Sequence, residues 1–155
     1  MVVRLDLGSR RVLLAGDAEG GQRKPPSQSP DPGSIEAGLL ACCTSDIKAD
    51  VLVVGHHGSM TSSRDAFLDA VSARIFAISS GPHPYRSVRL PDAEIVADLQ
   101  HRGTLLRTDI DDDACDTNPH KIGPDADESL GGCDNILITI DAQGVVNASY
   151  NRISD

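Results

Sequence analysis

The stretch Val51-Leu52-Val53-Val54-Gly55-His56-His57-Gly58-Ser59 constrains this chain more than any other. Four apolar, mostly β-branched residues read as a buried strand, and two adjacent imidazoles between glycines place chemistry where that strand ends. A second stretch, Val12-Leu13-Leu14-Ala15-Gly16-Asp17-Ala18-Glu19, has the same construction with a carboxylate at its end. Ligands in open α/β sheets gather at the carboxyl ends of strands, so the two stretches point to one shared site. Asp17, His56 and His57 are residue types that suit a metal centre.

The remaining pattern alternates. Val2 to Leu7 and Val12 to Ala15, around the turn Gly8-Ser9-Arg10, read as a hairpin. A helix is expected from a Ser34 cap over Ile35 to Cys43, with Ile35, Leu39 and Cys42 or Cys43 on one face. A second is expected after a Ser62 or Ser63 cap, with Phe67, Leu68 and Val71 inward. A third carries Pro91 in its first turn, Ile95, Val96 and Leu99 inward, and ends near Gly103. Further strands are expected over Arg74 to Ser79, Thr104 to Thr108, Ile136 to Ile140 and Val145 to Tyr150. That order predicts a layered α/β arrangement, and 155 residues fit one domain over 1–155.

Two segments fall outside the alternation. Residues 20–33 contain four prolines and three glycines and read as a loop. Residues 109–135 carry nine acidic residues against one lysine and read as a solvated insertion. Asp109, Asp111 and Asp113 imitate the start of a calcium loop there, but Ala114 and His120 stand where Gly and Glu are needed, which excludes that site.

A formal charge of −9, an aromatic share of 3% and no Trp argue against free-standing nucleic-acid binding, because such a surface repels phosphates and offers few stacking platforms. No run approaches the roughly 20 apolar residues of a membrane helix, and Met1 to Leu5 lacks a signal-peptide layout, so a soluble, cytoplasmic chain without membrane contact is expected. Adjacent Cys42 and Cys43, placed in a helix, are not expected to pair with each other. Free thiols in a reducing compartment are the first expectation, and a Cys115–Cys133 bridge closing the acidic loop is the alternative. Ser59 lacks the Gly-x-Ser-x-Gly setting of a nucleophile and reads as a cap. His101 and His120 are expected to face solvent.

Gly16-Asp17-Ala18-Glu19, Gly55-His56-His57-Gly58-Ser59 and Arg107-Thr108-Asp109, in that order, resemble the metallo-β-lactamase superfamily, and within it the branch containing the hydrolase domain of ComEC-type competence proteins and choline-phosphate esterases. The likeness runs over about residues 2 to 109 and returns in the last hairpin. It implies an αββα sandwich with a two-metal hydrolytic centre holding zinc or manganese, in which Asp17 would bridge the ions and His56 would ligate one. His57 would ligate or donate to substrate oxygen. The family's His-x-His-x-Asp-His ligand loop has no counterpart, since no His precedes His56, and Arg89-Leu90 stands where Gly-His is usual before Pro91. His83 is the nearest histidine in sequence. The chain therefore resembles the C-terminal half of the fold, a truncated domain with an incomplete site.

Two functions follow as expectations. One is a metal-dependent hydrolase of phosphodiesters or related esters, completed by a missing N-terminal half or a partner. The other is a non-catalytic remnant acting as a binding or self-assembling module, with a homodimer covering the bare sheet face. An unrelated doubly wound domain is the third possibility, separable by strand order.

Overall fold

The computed structural model describes residues 1–81, 87–110 and 135–150. His83, Cys115, His120 and Cys133, and the rest of the acidic insertion from 111 to 134, lie outside them. The elements are β1 (Val3–Leu7), β2 (Arg10–Leu14), α1 (Ile35–Cys42), β3 (Val51–Val53), a short 3-10 turn (Gly55–Gly58), α2 (Asp65–Val71), β4 (Ile75–Ile78), α3 (Ala93–Arg102), β5 (Thr104–Arg107), β6 (Ile136–Ile140) and β7 (Val146–Tyr150).

Strands β1 to β5 form one sheet in sequence order, and β6 and β7 form a separate two-stranded sheet. β1 is antiparallel to β2, and β2, β3, β4 and β5 run parallel. Each parallel step is made by a helical crossover, as parallel pairing requires. The sheet is mixed and its order never reverses, so the doubly wound alternative, which needs a reversal point, is excluded.

Side-chain alternation assigns the two faces. Leu13 of β2, Leu52 of β3 and Phe76 of β4 join one buried cluster with Phe67, Leu68 and Val71 of α2 and Ile95 and Leu99 of α3. Burying each of these large side chains stabilises the fold by roughly 1.5–3 kcal/mol. Val12, Leu14 and Val53 point the other way, toward Ile136, Ile138 and Ile140 of β6. The hairpin crosses that second face. At its turn the Arg10 guanidinium donates to the Gly144 carbonyl at 2.6 Å, and at its far end Tyr150 Oη accepts the Arg107 N–H at 2.9 Å.

Several local expectations are corrected. α1 buries Glu36, while Ile35 is 46% exposed. Ser34 does cap it, accepting from the Ala37 N–H at 3.2 Å. α2 starts one residue past the Ser62-Ser63 pair, with Arg64 at the cap position and no side-chain cap, because the Ser62 hydroxyl donates to the Gly55 carbonyl at 2.8 Å. Pro91 precedes the Asp92 cap of α3. Cys42 and Cys43 are joined as a vicinal disulfide, against expectation. Cys42 ends α1 and Cys43 leaves it at φ −141°, ψ 27°, so helical geometry no longer holds the two side chains apart. His101 is exposed near the end of α3, as expected.

Candidate functional site

β2 and β3 are neighbours and parallel, with Leu14 opposite Val53, so both run out at the same edge of the sheet. The pairing continues past the strands. Ala15 N–H donates to the Val53 carbonyl at 3.1 Å, and His56 N–H donates to the Gly16 carbonyl at 2.8 Å. Asp17 is therefore the next residue after a backbone partner of His56, and the two sequence motifs form one surface.

Close backbone approach explains the glycines. A Cβ at Gly55 would lie 3.1 Å from the Ala18 carbonyl oxygen and 3.4 Å from the Ala15 Cβ. His56 and His57 then take left-handed conformations, at φ 48° and φ 54°. A left-handed turn costs non-glycine residues about 1–2 kcal/mol each. Nothing in core packing repays it, since His57 is exposed and His56 only half-buried. Retained backbone strain of this kind gathers at functional sites.

The two rings sit 6.5 Å apart, centroid to centroid. His56 Nδ1 lies 2.8 Å from Thr61 Oγ1 and 2.8 Å from Glu19 Oε1. His57 Nδ1 lies 2.6 Å from the Ser79 carbonyl at the end of β4. Asp17 is exposed at the surface between the strand ends.

A second layer fixes this edge. The Arg64 side chain is fully buried, and its guanidinium donates to the carbonyls of Gln22, Lys24 and Pro25. Glu36, also buried, accepts from the Ser63 and Arg64 N–H groups. Burial pushes the Glu36 carboxyl up to about 7, against the lowering effect of those two donors. Gly20 fits between them, because a Cβ there would lie 2.5 Å from Glu36 Oε2. The 20–33 loop is thus folded onto the segment after His57, and Arg23 reaches from it to Asp92 and, at 3.5 Å, to Ser59 Oγ. Ser59 accepts from the Thr61 N–H at 3.2 Å, which makes it a turn residue.

The backbone joins Gly16, the residue before Asp17, to His56, with His57 next in the chain. Glu19, Thr61, Glu36 and Arg64 were not anticipated from the sequence. Only Glu19 carried a signal, as the acid two places beyond Asp17; the others depend on tertiary folding of the loop. The donor types suit zinc or manganese, but among the described residues no group of three His, Cys, Asp or Glu side chains could hold a metal ion. The described donors are too few to complete a metal site.

Two curated proteins are similar to part of this chain. The chain is 32% identical over 111 residues to the competence protein ComA of Neisseria gonorrhoeae, which covers 70% of this chain and 14% of that protein. It is 39% identical over 80 residues to Recombination protein 2 of Haemophilus influenzae, covering 52% of this chain and 8% of that protein. The likeness to these competence and recombination proteins is partial. The chain spans a small fraction of either relative. No family model matches it, and no solved structure does. Among the described residues, no helix is long and apolar enough to cross a membrane.

Proposed function

We propose that this chain carries part of a metal-dependent hydrolytic centre of the metallo-β-lactamase type, ComEC-like, acting on a phosphodiester or related ester. Asp17 and His56 would supply two ligands to zinc or manganese, with His57 ligating or donating to substrate oxygen, and the remaining ligands would come from outside the described residues. The single observation behind this reading is the bond from His56 N–H to the Gly16 carbonyl, which joins the two motifs at one sheet edge. The two relatives are named for competence and for recombination; we read those names as pointing to DNA, whose backbone is a phosphodiester. An ion held there would lower the pKa of a bound water and polarise the substrate. It would also offset the charge of −9 that otherwise repels such a substrate.

The reading is tested by zinc binding at equilibrium, without a desalting step. Wild type should bind zinc weakly, as an incomplete site does, and His56→Ala should bind it several-fold more weakly; equal affinity in both would refute the assignment.

A second reading is favoured by a different feature. An open apolar groove of about 730 Å³ lies between β1, β2 and β6, lined by Leu5, Leu7, Val12, Leu14 and Ile138 among others. Leu5 and Leu7 are 42% and 48% exposed. Such a face suits a binding or self-assembling module, possible in the same fold without catalysis. Sedimentation at micromolar concentration separates the two: a dimer that binds no zinc supports the module, and a zinc-binding monomer supports the hydrolase.

A further inference from the structure

We propose that Thr61 is a positioning residue that holds His56 in the tautomer protonated at Nδ1, and that the Ser79 carbonyl does the same for His57, so that both rings present a bare Nε2 lone pair.

The assignment follows from counting protons around each ring. Among the described residues, Thr61 Oγ1 is the hydrogen-bond partner of His56 Nδ1 at 2.8 Å, and Glu19 Oε1 also lies 2.8 Å from it. An ionised carboxylate has no proton to give. A threonine hydroxyl has one, and Thr61 directs it to Ser59 Oγ at 3.1 Å. Both neighbours of Nδ1 are therefore acceptors, and the proton belongs to the ring. At His57 the case is simpler, because among the described residues the partner of Nδ1, 2.6 Å away, is a carbonyl oxygen, which can only accept. In the neutral ring the second nitrogen then carries a lone pair.

The backbone supports the same end. Two consecutive left-handed residues aim the rings in ways an extended strand could not, and each ring is then tied by its Nδ1 to a different segment, His56 to Thr61 ahead of α2 and His57 to the end of β4. Imidazoles that bind a cation through one nitrogen are commonly oriented by a carboxylate or carbonyl on the other. Here the Thr61 hydroxyl holds the His56 ring and the Ser79 carbonyl the His57 ring. The hydrogen-bond argument stands whether or not an ion binds, so it can fail or hold independently of the hydrolase reading.

The test is long-range nitrogen–proton NMR of the histidine rings in the metal-free chain at about pH 8, above the ordinary imidazole range. Both His56 and His57 should show the proton on Nδ1, the reverse of the form free imidazole side chains favour. Thr61→Ser, which keeps the hydroxyl, should preserve the His56 pattern. Glu19→Leu combined with Thr61→Val should convert His56 to a tautomer mixture and leave His57 unchanged, and the intact His57 signal reports that the variant is folded. A wild-type His56 protonated at Nε2 would overturn the proposal, as would a double variant with folded His57 and an unaltered His56. Loss of zinc binding with an intact tautomer pattern would instead count against the metal reading alone.

Discussion

The backbone N–H of His56 donates to the carbonyl of Gly16 at 2.8 Å, so the turn after β3 is stitched to the turn after β2. Strand adjacency alone would bring the two loops near each other. This bond fixes their register at Gly16, the residue before Asp17.

The left-handed turn predicts an inverted order of stability at position 57. Gly is ordinarily about 0.5–1 kcal/mol less stable than Ala within regular structure. At φ 54° the order should reverse, with His57→Gly more stable than His57→Ala by about 1 kcal/mol. Both variants lose the ring and its bond to Ser79, so their difference in urea midpoint isolates the backbone. Equal midpoints would show that the turn relaxes once the imidazole is gone.

Glu36 predicts a pH effect with a definite sign. Its carboxyl is raised from 4.5 to about 7 in the folded chain, so between those values the folded state binds more protons than the unfolded one. The contribution of Glu36 to stability is then full below about pH 4.5 and falls as pH rises toward 7, by at most roughly 3 kcal/mol. Denaturation of wild type and Glu36→Gln should therefore show any advantage of wild type shrinking between about pH 5 and pH 8. An advantage that grows over this interval would mean that the buried carboxylate is held ionised.

Arg64 predicts a loop that opens without it. Its guanidinium serves three carbonyls of the 20–33 loop, and Arg64→Met would remove those donors. A stability loss of about 2–4 kcal/mol is expected. Trypsin should cut faster after Arg23 in the variant, since the loop would lose its anchor. Unchanged cleavage would show that the Lys24–Asp31 pair and the Gly20–Thr61 bond hold the loop by themselves.

Much of the fold was legible because period and punctuation agreed with burial. Val51 to Val53, Ile75 to Ile78 and Ile136 to Ile140 are short apolar runs bounded by turn residues, and all are strands. Helix starts were less legible. Ser62 and Ser63 have the right chemistry for a cap, but the Ser62 hydroxyl is used on Gly55, and a competing tertiary acceptor is invisible in a linear reading. The helix face of α1 was misassigned for a related reason: a carboxylate at position 36 reads as solvent-facing until two backbone donors and a buried guanidinium are known to surround it. The disulfide between Cys42 and Cys43 was missed because the helix was extended one residue too far. At the site, Asp17 and His56 were legible as strand-end residues. Glu19 and Thr61 were not, because their role is set by which atoms of the His56 ring they face.

The most direct test of the central claim is a zinc titration followed at the ring nitrogens of His56, in wild type and in Asp17→Asn. The account predicts that zinc shifts Nε2 of His56 in wild type, and that Asp17→Asn weakens the response at least tenfold. A His56 ring that ignores zinc, or one that responds equally without the Asp17 carboxylate, would contradict it.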